Sequence, residues 1–148
     1  MSEKSESVAA WEALFRAQVS VFRQLGEGFP TAELSFNEYD VLFNLSRLPG
    51  RKSRIRDLNR QLLLTQPSVS RLVDRLVARS LVRKEADPGD GRGTIVCLTD
   101  AGYELFRIVG EAHADHIHQI MSAGLDADQL DQLTRLTNTL RASSDLGR

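Results

Sequence analysis

Residues 65–99 constrain the fold of this chain more than any other stretch. An amphipathic, basic segment is followed there by two short apolar runs, joined through Asp87-Pro-Gly-Asp-Gly-Arg-Gly93. Val69, Leu72, Val73, Leu76 and Val77 fall at i, i+3, i+4, i+7 and i+8, the spacing of a helix with one buried stripe. At about 100° per residue, the opposite face carries Pro67, Ser68, Arg71, Asp74, Arg75 and Ala78. Thr65 can cap this helix, and Pro67 suits a first turn whose N–H groups lack intrahelical acceptors. Leu81 to Ala86 and Thr94 to Leu98 are rich in β-branched residues and predict two strands. The glycine-rich run between them predicts a hairpin loop with Arg92 at its tip.

The flanking segments are helical by pattern. Trp11, Leu14, Phe15, Phe22, Leu25 and Phe29 recur on one face of a helix expected over residues 8–29, with Pro30 following its end. Ser35-Phe-Asn-Glu38 is a capping box opening a second helix through Tyr39, Leu42, Phe43 and Leu45, which Pro49-Gly50 ends. Arg51 to Arg54 are expected as a basic turn. Ile55, Leu58, Leu62 and Leu63 predict a short third helix. Thr99-Asp-Ala-Gly102 opens a long helix lined by Leu105, Phe106, Val109, His113, Ile117 and Ile120. Asp126 opens the last helix, with Leu130, Leu133, Leu136 and Leu140 as its apolar line, and residues 143–148 are expected to fray. The fold expected is mainly α with a small β-hairpin wing. A winged helix-turn-helix over residues 35–99 is flanked by a helical dimerisation region over 8–34 and 100–142.

The net charge of −1 conceals a strong asymmetry. The segment from Arg47 to Arg92 carries +7, and the remainder −8. One surface is thus expected to face a polyanion, although a solvated arginine-rich face has the same composition. No apolar run approaches the roughly 18–20 residues needed to span a membrane, and Met1 to Ser7 form no apolar leader. A single cysteine, Cys97, excludes an intrachain disulfide and a multi-cysteine zinc site, which fits a cytoplasmic, reducing compartment. No phosphate-binding glycine loop, nucleophile elbow or His-Glu-x-x-His pattern is present, so neither an enzyme nor a cofactor is expected. His113 and His116 lie about one turn apart without a third ligand, so no metal site is expected.

Three motifs, in this order along the chain, resemble the MarR family of bacterial transcriptional regulators. Glu38-Tyr-Asp-Val-Leu42 is like the opening of that family's second helix. Ser68-Val-Ser-Arg71-Leu-Val-Asp74-Arg75-Leu76 is similar to its recognition helix. Asp90-Gly-Arg92, a strand, and Leu98-Thr99-Asp-Ala-Gly102 resemble its wing signature. The resemblance spans about residues 8–142. It departs at Leu63, where a turn glycine is common, and at Asn59, where a small alanine usually packs.

The resemblance implies a homodimer that places two recognition helices in successive major grooves of a pseudo-palindromic operator in double-stranded DNA. Gln66, Ser68 and Arg71 are the candidate base readers, and Arg54 and Arg75 the candidate phosphate contacts. Arg92 is the candidate minor-groove residue, with Asp90 orienting it through an ion pair. The resemblance also implies repression relieved by a small aromatic or phenolic ligand. Trp11, Phe15, Phe43 and His113 are candidate pocket residues, the alternative being that they are core. A winged-helix protein-interaction module without DNA binding is the other function this pattern accommodates.

Overall fold

The computed structural model describes residues 2–62 and 66–146. Among them are six helices: α1 (Glu3–Glu27), α2 (Phe36–Ser46), α3 (Ile55–Gln61), α4 (Gln66–Ala78), α5 (Asp100–Gly124) and α6 (Ala127–Asp145). Three strands, β1 (Lys52–Arg54), β2 (Val82–Asp87) and β3 (Asp90–Leu98), form one antiparallel sheet in the order β1-β3-β2. Thr65 and Leu63, expected as a cap and as a turn residue, lie outside the described residues, as does the Gln66 side chain.

The chain divides into two compact units, one spanning Gly28–His113 and the other containing α1 and the chain from Ala114 onward. The first unit holds a core of Leu34, Val41, Leu42, Leu45, Leu58, Val69, Leu72, Val73, Leu76, Val82 and Val96, each at most 1% exposed. Apart from Leu34, which precedes α2, these residues come from α2, α3, α4 and both long strands, so one core fixes all the parts of the winged helix-turn-helix. The amphipathic stripe read in α4 is the stripe that is buried. In the second unit, by contrast, neither α1 nor α6 buries a residue.

Local chemistry explains where the helices begin and end. Ser35 Oγ accepts from the Glu38 N–H at 3.1 Å, while Glu38 Oε1 accepts from the Ser35 N–H at 3.0 Å. Asp126 and Gln129 form the same reciprocal cap on α6. The first helix starts at Glu3, five residues before the expected start at residue 8, and ends at Glu27 rather than residue 29. Ser2 Oγ accepts from the Ser5 N–H at 3.2 Å, and Glu3 and Glu6 stand in the first turn, where negative charge is favoured. The last helix likewise continues to Asp145, beyond the point where fraying was expected.

The stretch expected as a basic turn is instead a single 3-10 turn, Pro49–Arg51, leading into β1. Gly50 takes a positive φ of 67° there, and Arg51 follows at 52°. The Arg51 guanidinium lies 3.6 Å from the Tyr103 ring centroid, a cation–π contact that holds the turn. Lys52, Ser53 and Arg54 then pair with Cys97, Val96 and Ile95 of β3. This third strand is too short for any local pattern to mark it, and its partner lies more than 40 residues away in sequence.

Candidate nucleic-acid interface

The exposed face of α4 carries Arg71, Asp74, Arg75 and Ala78, opposite buried Val69, Leu72, Val73 and Leu76. Arg71 Nη2 lies 3.5 Å from Ser68 Oγ, so the two candidate readers stand together on one turn. Asn37, at the start of α2, lines the same shallow hollow as Ser68, Arg71 and Arg75. Nothing local in the sequence links Asn37 to α4, so only the fold brings it to this face. The one acid on this face, Asp74, is paired with Lys84 of β2, which offsets its charge. Arg79, at the far end of the helix, pairs with Glu38 and Glu33. Arg71 and Arg75 enter no ion pair with a described residue.

The wing differs in detail from the expected seven-residue loop. Its turn is only Pro88-Gly89, and Asp87 and Asp90 face each other across it. The register then jumps from Asp87↔Asp90 to Ala86↔Thr94, so Gly91, Arg92 and Gly93 bulge from β3. Arg92 therefore stands on this bulge beside the turn, and its side chain is exposed. Asp90 acts on it through the backbone: the Arg92 N–H donates to Asp90 Oδ1 at 3.1 Å. The expected side-chain ion pair between them is absent among the described residues. A carboxylate held by a backbone N–H two residues on is a compact turn brace, and it leaves the guanidinium free to point outward. The other oxygen, Asp90 Oδ2, lies 3.9 Å from Arg56 Nη1.

Arg54, expected at a phosphate, is exposed but paired with a buried carboxylate of the same unit. Its Nε lies 2.6 Å from Asp87 Oδ2, and the Asp87 side chain is 3% exposed. Asp87 Oδ1 accepts from the Gly89 N–H at 2.9 Å. A buried carboxylate is costly unless paired and hydrogen-bonded, and Asp87 has both. In the sequence, Asp87 before Pro-Gly carries only a turn signal, in which the side chain bonds the backbone two residues on.

The remaining candidates are distributed between the units. In the winged unit, His113 is buried among Phe29, Phe36 and Tyr39, with ring centroids 5.1, 5.8 and 5.1 Å away. Phe43 packs on Tyr39 and Phe106. In the other unit, Trp11 and Phe15 lie 5.6 Å apart and are 60% and 51% exposed. Asn59 Oδ1 is buried without a hydrogen-bond partner among the described residues. Cys97 is buried in β3, and burial, reinforced by Glu85, raises its thiol pKa, which disfavours the reactive thiolate. No group of His, Cys, Asp and Glu among the described residues has the geometry of a metal site, and no helix among them is long and apolar enough to cross a membrane.

A polar, basic outer helix joined through one core to a three-stranded wing defines a winged helix-turn-helix protein. A MarR family model matches residues 32–93. The HTH-type transcriptional regulator YkoM of Bacillus subtilis (strain 168) is 30% identical over 138 residues, spanning 90% of this chain and 87% of the relative. PecS of Dickeya dadantii (strain 3937), also an HTH-type transcriptional regulator, is 32% identical over 111 residues, or 74% of this chain and 66% of PecS. Sco3205, a MarR family transcriptional regulator from Streptomyces coelicolor crystallised in complex with DNA, matches with a TM-score of 0.73 at 26% identity. That match covers 94% of this chain and 88% of Sco3205. The chain belongs to the MarR family, whose members are DNA-binding transcriptional regulators and not enzymes.

Proposed function

We propose that this chain is a cytoplasmic, homodimeric repressor that binds a pseudo-palindromic operator and is released by a small aromatic or phenolic ligand. The observation that carries the DNA reading is the outer face of α4, with Arg71 and Arg75 exposed and Ser68 half-buried beside them, on a helix whose other face is locked into the core. In this reading Gln66, Ser68 and Arg71 meet base edges in the major groove. Arg75 meets phosphate, and Arg92 enters the adjacent minor groove. Sco3205, crystallised with DNA, supports it by similarity.

Exposed apolar side chains support the homodimer. Val8, Trp11, Phe15 and Phe22 on α1, and Leu136 and Leu140 on α6, are each at least 47% exposed in the single chain. Large apolar side chains clustered on elements with no buried residue mark an association surface. A twofold dimer must hold its recognition helices about 34–36 Å apart to meet successive major grooves. A ligand that binds one spacing better than another shifts the dimer toward that spacing by its differential affinity alone. Phe43 and His113, each packed on Tyr39 in the winged unit, are the residues we assign to that ligand.

A gel shift with the region upstream of the chain's own reading frame tests the reading. A retarded band that Arg71→Ala weakens supports it. A dimer that shifts none of this DNA at low salt overturns it, and favours the protein-interaction module.

A further inference from the structure

We propose that Arg54 and Asp87 are wing-positioning residues: the pairing of exposed Arg54 with the buried Asp87 carboxylate sets where Arg92 meets DNA, and Arg54 itself is not a phosphate contact. The inference rests on the reading of Arg92 as a DNA-contacting residue and adds what holds that residue in place.

The wing has little else to fix its outer half. Beyond Ala86↔Thr94 the ladder is interrupted by the three-residue bulge that carries Arg92. A bulge gives up regular cross-strand hydrogen bonds, so another interaction must define its position. Asp87 sits in the hollow of that bulge. One oxygen holds the Gly89 N–H of the turn, and the other holds Arg54. Gly93 closes over it, where an added Cβ would lie 3.0 Å from Asp87 Cβ and 3.2 Å from Oδ2. Arg54 is the last residue of β1 and the residue immediately before α3. A single contact therefore ties the wing turn to the start of the helix-turn-helix.

The geometry also tells against Arg54 as a phosphate contact. Its Nε lies 2.6 Å from Oδ2 of a carboxylate that is almost wholly shielded from water, an ion-pair contact without hydrogen-bond alignment. A phosphate drawing the guanidinium away would leave that carboxylate buried and unpaired. Arg56 and Arg92 line the same cleft and, like Arg54, are exposed, but among the described residues neither is ion-paired to Asp87.

The test uses the full chain and a duplex from the upstream region, with binding read by fluorescence anisotropy across a salt series. Arg54→Met and Arg92→Ala are each expected to weaken binding by about tenfold, within the range typical of one DNA-contacting side chain. Their double variant is expected to lie within about threefold of Arg92→Ala alone, because both changes remove the same contact. Loss of one phosphate contact in each subunit lowers the slope of log K against log salt by about 0.9 per subunit bound. Arg54→Met is expected to leave that slope unchanged in the Arg92→Ala background. Multiplying losses, or a further fall in slope, would overturn the proposal.

Asp87→Asn decides independently, and covers the case in which Arg54→Met does not fold. It keeps an acceptor for the Gly89 N–H and removes one negative charge near DNA. Simple electrostatics expects tighter binding, whereas positioning expects weaker binding. Tighter binding by folded Asp87→Asn overturns the proposal. Full-strength binding by folded Arg92→Ala overturns the underlying reading of Arg92 and the inference with it. That result is distinct from a strong Arg92→Ala effect with an additive Arg54→Met, which sinks the inference alone.

Discussion

Gly102 lies so close to Leu81 that a Cβ at position 102 would fall 2.0 Å from the Leu81 carbonyl oxygen. The approach is held by Thr99, whose Oγ1 accepts from the Gly102 N–H at 3.0 Å and lies 2.7 Å from the Ser80 carbonyl oxygen. The end of α4, the base of the wing and the start of α5 meet at this point. Because the obstacle is backbone, a side chain cannot simply swing aside. Gly102→Ala is expected to destabilise the protein by about 3 kcal/mol or more, as overpacking against backbone does. Thermal unfolding is the check, and an unchanged midpoint would show that the junction yields more easily than its geometry implies.

Ser80 sits in the left-handed region at φ 59°. The Leu81 N–H donates to the Leu76 carbonyl at 3.0 Å, and the Ser80 N–H to the Val77 carbonyl at 2.9 Å. That pair of bonds is the Schellman ending of a helix, where glycine is preferred because it has no Cβ to clash. Ser80→Gly is expected to stabilise the fold by roughly 0.5–1 kcal/mol, after allowing for glycine's greater freedom when unfolded. Urea unfolding at neutral pH measures it, and a lower midpoint would refute it.

Asp40 contributes a pH dependence with a definite sign. Burial raises its carboxyl pKa, and the hydrogen bond from Asn44 lowers it by less. The folded state therefore holds this proton more tightly than the unfolded chain does. Asp40 favours folding at pH values below the ordinary carboxylate pKa of about 3.9, and that contribution disappears as pH rises through the higher folded value. Asp40→Asn has no such proton to lose. Its stability relative to the native sequence should climb across that window and then level off. Denaturant titrations of both proteins at a series of pH values provide the comparison, and a pH-independent difference would rule the mechanism out.

Arg71 and Arg75 should separate by function. Arg71→Ala is expected to cost about 1–3 kcal/mol on the operator and to relax preference at one base position. Arg75→Ala should weaken operator and unrelated DNA alike and reduce the salt slope by about 0.9 for each subunit bound. Competition binding against point-substituted duplexes distinguishes the two, and an identical profile for both variants would contradict the assignment.

Trp11 and Phe15 are expected to lie within the dimer contact. Trp11→Asp with Phe15→Asp should shift the protein toward monomer and weaken operator binding, because the two recognition helices lose their fixed spacing. Sedimentation equilibrium reads the assembly state directly. A double variant that stays dimeric would move the interface elsewhere.

The sequence was most informative where the physics is local. Ser35 and Glu38 announce their reciprocal cap within four residues, and the stripe from Val69 to Val77 announces the buried face of α4. What escaped is what depends on distant partners. Lys52 to Arg54 become a strand only because β3 offers an edge to pair with, and the same three residues alone look like a basic turn. Asp87 reads as one polar residue in a glycine-rich run until Arg54 is seen beside it. Asp90 was recognised as a brace for Arg92, but its bond to backbone rather than to guanidinium is a matter of angles that composition does not carry.

The short outer strand β1 has a consequence for anyone who would exchange this wing for that of a relative. The structural wing is discontinuous in sequence: two of its strands lie in residues 82–98, while the third arrives with the helix-turn-helix at Lys52–Arg54. A graft of the hairpin alone would leave β3 with a foreign outer neighbour and an incoming acid at position 87 without its matching guanidinium. The smallest transplantable module is therefore two separated pieces of chain, and the two must be drawn from the same donor.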